Sequence, residues 1–441
     1  MSRTTARKSL MLGRILLGAV AAVSLVAGFA QPVAATEAIS IYGDWSGQEA
    51  QVFQQELNAQ FPPSSGLSVK YITLPNFQSA IGTVLSTASK PNIALWSEPE
   101  NMLSHSDVIL PVDQILSPDQ LKVSRKALAF GWDKTATVNG KIYGLPVAAT
   151  PRDLIFYNPR SLKAAKIKVP RNDGQLQSAY SGINNSGQAW PWCLGLEAGA
   201  ATGFPAMEWM KAYVLKFSGP AKYTAWLRGT MRWNNNLVTN AGNRVSQSLL
   251  APGMVMGGGM GASGRNFGAI TSAGLFAPNK AAGQCIFMLG SLNSVATFPS
   301  DVQSEVSAGN NNRVDVFQLP TPVGGVPSTL VSGEIATALI KTPGTAKVMA
   351  YLTSSDFGMR FLAKQGWIFN PHYNVPISAY PGRLRQTIAA ILYSSHSIGF
   401  DEGLLSPTRV NSVIWANLTD WFAGRTNVTK AFSNIDASYH G

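Results

Sequence analysis

A chain of 441 residues, 45% hydrophobic, 10% aromatic and 13% charged, is long enough for two or three domains and too apolar for a disordered polymer. Its two cysteines cannot staple a small disulfide scaffold, so apolar burial must hold the fold together. The formal net charge of +12 reflects few acids, 23 Asp and Glu against 35 Lys and Arg. Beyond the N-terminus the basic residues read as scattered singly, which argues against a nucleic-acid binder with its cations gathered on one face.

Arg3, Arg7, Lys8 and Arg14 precede an apolar run from Ile15 to Ala30, and Val33-Ala34-Ala35 then offers small residues at a cleavage site. That order is the pattern of a secretory signal over residues 1–35, with a cut after Ala30 as the alternative. The run is shorter than the ~20 apolar residues that span a bilayer. No cysteine stands at the junction to carry a lipid, so the expected product is a soluble periplasmic protein with a net charge of +8. Cys193 and Cys285 would pair as one disulfide in an oxidising compartment, the alternative being two buried thiols. With no Cys-x-x-Cys, a thioredoxin-like redox site is excluded.

From the mature start, Ala38–Tyr42 reads as a strand, and Ala50, Phe53, Leu57 and Phe61 recur at helical spacing up to the break at Pro62-Pro63. A strand over Leu67–Ile72 follows, then a helix carrying Phe77, Ala80, Ile81, Val84, Leu85 and Ala88, then a strand over Asn92–Trp96. This β-α-β-α-β order implies an α/β fold with a mostly parallel sheet flanked by helices, in which ligands sit beyond the carboxyl ends of strands. Downstream, Asn139-Gly140 marks a hairpin between Val138 and Val147, and Leu154–Tyr157 is another strand. Leu330–Ile340 is apolar around Ser332-Gly333-Glu334, a helix is expected over Ala346–Leu362, and residues 409–423 form a last helix.

Chemistry-bearing motifs are few. His105, His372, His396 and His440 are isolated, and neither a His-Glu-x-x-His nor a calcium-loop pattern occurs, so no metal and no cofactor is expected. Gly257–Gly264 lacks the Gly-Lys-Ser/Thr of a phosphate loop and reads as a flexible loop. Ser263 is followed by Gly264-Arg265, which breaks the nucleophile-elbow pattern. No catalytic residue is assigned. The eleven tryptophans, several beside Asp, Glu or Asn, suit stacking on the apolar face of a sugar, or else they are core.

Four stretches carry a family resemblance: Ile41–Glu49; Asn139–Val147 leading to Tyr157-Asn158-Pro159; Trp190-Pro-Trp-Cys193 with Gly199–Pro205 and Glu208-Trp209; and Lys364–Pro371 followed by Asn374-Val-Pro376. Together they resemble the extracellular solute-binding proteins of carbohydrate ABC transporters, especially the α-glucoside and maltose-binding branch. The resemblance implies a type II periplasmic-binding-protein fold, two lobes joined by crossing segments with the ligand in the cleft. The N-terminal lobe would comprise residues 36–149 and 335–378, the C-terminal lobe 150–334 and 379–441. Implied partners are a small saccharide and the membrane permease subunits of an importer, with no nucleic acid and a monomeric state.

By the same resemblance, Asp44 and Trp45 follow the first strand in a sugar-touching loop, and Glu98 is the acidic residue after the third. Arg152 sits at the first crossing. Glu197, Thr202 and Phe204 fall in an aromatic–acidic wall of the second lobe, Glu334 lies at the second crossing, and Trp415 resembles a stacking tryptophan. Departures from the branch are Ala148 where a lysine is common, Glu334 for aspartate, and the apolar Met288–Leu292 where polar residues are common. The reading is therefore a binding protein that does no chemistry. A receptor for a non-sugar solute such as a polyol, and an exported glycan-active hydrolase using two carboxylates, remain as alternatives.

Overall fold

The computed structural model describes residues 36–128, 131–270, 274–366, 368–401 and 408–440; the expected signal segment and Trp367 lie outside them. Residues 36–441 form one compact unit. The N-terminal reading is met closely. Strand β1 (Glu37–Gly43) pairs in parallel with β2 (Leu67–Thr73) and β3 (Ile93–Trp96), and helices Gly47–Gln60 and Phe77–Leu85 connect them. Strands β4 (Thr137–Val138) and β5 (Lys141–Ile142) form the expected hairpin. Asn139 and Gly140 both take positive φ, as a type I′ turn demands.

The chain then runs through β6 (Leu145–Pro151) and β7 (Leu154–Tyr157). Next come β8 (Trp190–Trp192), β9 (Cys285–Gly290), β10 (Asp315–Gln318), β11 (Thr329–Ala338) and β12 (Ile398–Phe400). One six-stranded sheet has the order β12-β11-β3-β1-β2 with β6 beside β11, and a four-stranded sheet has the order β10-β7-β9-β8.

The sheets are mixed rather than mostly parallel. β11 runs antiparallel to β3 and β6, and β7 runs antiparallel to β9 and β10. The physical reason is connectivity. The sequence β6–β7 and the sequence β10–β11 each carry the chain from one sheet to the other, so these strands are not closed by a crossover helix that would force parallel pairing.

The helix expected over Ala346–Leu362 is interrupted: Pro343–Leu352 ends at Thr353, and Ser354 caps a new turn by accepting from Phe357 N. The glycine-rich stretch is not a free loop, because Gly258–Ser263 is helical and lies against helix Thr408–Phe422. A Cβ on Gly259 would collide with the Phe422 carbonyl, so glycine there permits the close approach.

Helix Phe204–Ser218 is buried on nearly every side, including Lys211 and Lys216. Its apolar residues join Trp192, Trp226, Trp233 and Phe287 in one core under the four-stranded sheet, while Ile39, Ile41, Phe53 and Leu95 anchor another under the six-stranded sheet. Where the chain crosses between sheets, the interior is polar. Lys216 Nζ pairs with Asp153 Oδ2 at 2.7 Å and donates to the Ser328 carbonyl at 2.9 Å. Gln318 Nε2 donates to Thr329 Oγ1 at 2.8 Å, and Thr329 Oγ1 meets Ser395 Oγ at 2.6 Å.

Cys193 and Cys285 form the disulfide, joining the residue after β8 to the start of β9. Reduction opens a connection spanning 92 residues, and the chain-entropy model puts the loss at roughly 4–5 kcal/mol. Urea unfolding with and without reductant should therefore show a clear fall in midpoint on reduction.

Candidate functional site

The ends of β1 and β3 carry a group of carboxyls. Asp44 is exposed just past β1 and accepts from Ser97 Oγ at 3.1 Å. Glu98 is half-buried at the start of helix Pro99–Ser104. Glu334 lies on β11, 6% exposed, in register with Ala148 at an irregularity in the β6–β11 pairing. The Trp45 side chain hydrogen-bonds its carboxyl, while the other oxygen, Oε2, is buried without a partner.

Burial pushes the Glu334 carboxyl well above the usual carboxylate range, and repulsion from Asp44 and Glu49 adds to this against the Trp45 hydrogen bond. Burial also raises Glu98; Lys211 offsets part of that and Asp44 adds to it. Glu98 thus faces Lys211, which belongs to the helix under the other sheet. These two surfaces bound one cleft.

The opposite wall is a charge network. Arg152 Nη2 donates to Glu208 Oε2 at 2.8 Å, and its Nε lies 3.1 Å from Asp401 Oδ2. Lys211 Nζ reaches Asp401 Oδ1 at 2.6 Å and Glu208 Oε1 at 3.4 Å. Burial alone would raise Glu208, but Lys211 and Arg152 outweigh it and hold the group well below the usual range. Burial would lower Lys211 and Arg152, yet in each case the two carboxylates prevail and hold the cation. Two cations and two carboxylates make a neutral, interlocked wall.

Two adjoining cavities share Arg152, Phe204 and Glu208. One, of about 180 Å³, is bounded by Trp209, Phe267, Met288 and Ser291 as well. The other, of about 310 Å³, adds Met207, Lys211, Asp401 and Trp415. Phe204 stands edge-on to Phe267 with centroids 5.1 Å apart. Gly203, at φ 103°, lets helix Thr408–Phe422 approach: a Cβ there would strike the Trp415 carbonyl. This approach brings Trp415 beside Phe204. Across the mouth, Arg228, after helix Pro220–Leu227, pairs with Glu100 of helix Pro99–Ser104.

The residues expected at the site divide accordingly. Arg152, Phe204 and Trp415 come together at the cavities, and Asp44, Glu98 and Glu334 gather on the facing wall. Trp45 is not a stacking face: it is 6% exposed, packed edge-on to Phe53 at 4.9 Å. Glu197 is engaged by Asn266 Nδ2 at 2.6 Å and Gly199 N at 3.0 Å, hydrogen bonds that lower its pKa. Thr202 Oγ1 closes a local turn, donating to the Gly199 carbonyl and accepting from Ala198 N. Of the ten described tryptophans, eight are buried, so the abundance of tryptophan is mostly core. Among the described residues, no group of three or more His, Cys, Asp or Glu is placed to hold a metal ion.

No family model matches the chain. The osmoprotective compounds-binding protein GgtB of Synechocystis is 28% identical over 408 residues, covering 91% of this chain and 92% of that protein. The α-glucosides-binding periplasmic protein AglE of Rhizobium meliloti is 23% identical over 419 residues, covering 90% and 88%. Among solved structures, the bacterial solute receptor AcbH superposes with a TM-score of 0.75 at 15% identity, covering 92% of this chain and 98% of its own. Over about nine-tenths of its length the chain is similar to these solute-binding proteins. Its fold is that of the type II periplasmic binding proteins.

Several residues of this candidate site escape sequence reasoning. Asp401 follows β12, so the strand-end rule would have found it had the three-residue strand been visible. Glu208 and Lys211, three apart on one helix, read as an ordinary exposed pair unless the helix is known to be buried.

Two outcomes follow from this geometry. Because Glu334 titrates higher folded than unfolded, its contribution is complete below the unfolded value near 4.3 and is lost as pH rises through the folded value. Glu334→Gln should therefore remove a component of the stability loss that sets in as pH rises above the unfolded value, read as a flatter plot of unfolding free energy against pH. Lys211→Met leaves Asp401 and Glu208 to share Arg152 in a buried setting and should cost about 3–5 kcal/mol in urea unfolding.

Proposed function

We propose that this protein captures a small saccharide in the cleft, closes over it by a hinge motion and presents it to the membrane permease of an ABC importer. The observation that carries the reading is the pairing of opposed walls. Carboxyls at Asp44, Glu98 and Glu334 offer acceptors for sugar hydroxyls, and Phe204 and Trp415 offer aromatic faces beside the fixed Arg152 network. Carboxylate–hydroxyl hydrogen bonds and aromatic contact are the interactions a neutral polyhydroxylated ring can satisfy. The name of AglE, an α-glucosides-binding protein, supports the same class of cargo.

In this reading residues 36–149 with 335–378 make the first lobe and residues 150–334 with 379–441 the second. The crossings lie at Arg152-Asp153 and within β11 at the Glu334–Ile335 irregularity, and the Arg228–Glu100 pair holds the closed mouth. The protein acts outside the cytoplasm after export, as a binder rather than an enzyme. A second reading, a compact polyol-like osmolyte, is favoured by the apolar wall at Met288 and Leu289 and by Ala148 beside Glu334.

Tryptophan fluorescence titrated with mono- and disaccharides and with polyols tests both. Saturable binding of one saccharide, with the ligand recovered unaltered, supports the first reading; saturation by a polyol alone supports the second, and hydrolysed product would refute both. Trp415→Ala should weaken binding roughly tenfold, as expected for loss of one aromatic contact and its buried area, with little change in melting temperature.

A further inference from the structure

The segment Arg160–Arg171 overturns the impression that the basic residues are scattered singly. It contains Arg160, Lys163, Lys166, Lys168 and Arg171 and not one acid. All five are exposed, and none of them forms an ion pair among the described residues. Helix Pro159–Ala164 carries the first two, and the connection to helix Asp173–Ser186 carries the rest. Between these helices lies an open groove of about 1210 Å³, onto which Lys163, Lys168 and Arg171 converge over an apolar floor at Leu162 and Ile167.

The carboxylates on flanking elements do not neutralise this surface. Asp173 is buried and held by Arg244 and Gln177; Asp315 is buried and held by Arg383. The turn bearing Lys280 adds another cation alongside, since Gln284 Nε2 donates to Ser161 Oγ at 3.3 Å. Lys166 itself sits at φ 57°, the left-handed position after a helix where glycine or asparagine is usual.

We propose that this groove and its rim are a docking surface for an anionic phospholipid bilayer. The cations are long, flexible and spread along twelve residues of chain around an open groove, which fits a diffuse field of headgroups better than one acidic peptide. Val169, 37% exposed among them, gives the surface an apolar contact for the interface. The groove shares no lining residue with the sugar cavities, so the protein could hold cargo and membrane together. The inference rests on the proposed function only in placing the protein beside a membrane.

The test is sedimentation of residues 36–441, the compact unit, with vesicles of phosphatidylglycerol in phosphatidylethanolamine and with vesicles of phosphatidylcholine alone. The expected result is binding to the anionic vesicles only, abolished by high salt. The triple variant Lys163→Gln, Lys168→Gln, Arg171→Gln should bind them at least tenfold more weakly, given roughly fivefold per cation. Melting temperature and the fluorescence response to cargo should be unchanged in that variant, which separates failure of this surface from failure of the cleft. No binding to anionic vesicles, unchanged binding by the triple variant, or binding to polyglutamate without binding to vesicles would each overturn the proposal, the last in favour of an acidic protein partner.

Discussion

Helix Phe204–Ser218 carries Glu208, Lys211 and Lys216 into the protein interior, and the first crossing answers with two consecutive charges, Arg152 and Asp153. Because neighbouring side chains of an extended segment point to opposite sides, Arg152 meets Glu208 in the cleft wall while Asp153 meets Lys216 behind it. One dipeptide thus fixes the helix, the crossing and the cleft wall to one another. Asp401 at the end of β12 completes the cleft side, and Ser328, Thr329 and Ser395 complete the interior side. Polar contacts at such a junction have a physical advantage over close-packed leucines. They are directional, so they specify one arrangement of the crossing segments, and their desolvation cost falls only on residues already ordered by the adjoining strands.

The two walls differ in how their charges are satisfied, and that difference shapes what can enter. The Arg152–Glu208–Lys211–Asp401 wall is internally neutral, with each charge already opposed. The facing wall has Asp44, Glu49, Glu98 and Glu334, where Lys211 tempers Glu98 and the Trp45 hydrogen bond tempers Glu334. Ala148 stands beside Glu334 on the neighbouring strand and brings no charge to it; burial, with Asp44 and Glu49, raises the carboxyl's pKa against the Trp45 hydrogen bond. Carboxyl oxygens accept hydrogen bonds from neutral hydroxyls, whereas an anionic sugar would meet a wall of acids.

The first sheet was legible because it is built from local regularities. Ala38–Tyr42, Leu67–Ile72 and Asn92–Trp96 are short apolar runs, and the helices between them repeat at 3.6 residues, so order and approximate ends follow from spacing. The second sheet was not, because β7, β9 and β10 are joined by long intervals and pair antiparallel for reasons of global connectivity that no window of sequence contains. At the candidate site, Asp44 and Glu98 do follow β1 and β3, as their positions in the sequence imply. Trp45 and Thr202 were placed in the right neighbourhood with the wrong surroundings: position along the chain says which loop a side chain occupies, but not whether it turns inward to Phe53 or closes its own backbone turn. Glu208 and Lys211 were hidden by the opposite error, since a charged pair on a helix normally marks the solvent face and here marks the cleft.

The distribution of charge over the molecule follows a similar division. Acids are scarce, yet several stand in the cleft, and others are spent on buried pairs such as Asp153–Lys216 and Asp173–Arg244. What remains outside is therefore basic, most densely along Arg160–Arg171. For a neutral cargo, a long-range field neither attracts nor repels the ligand, so the sign of the outer surface is free of any constraint from capture. It can instead respond to whatever large charged body the protein works beside, while the cleft, shielded by low-dielectric walls, keeps the local acceptors that the cargo needs. A binding protein for a charged solute would not have this freedom, because its outer field would govern how fast ligand arrives.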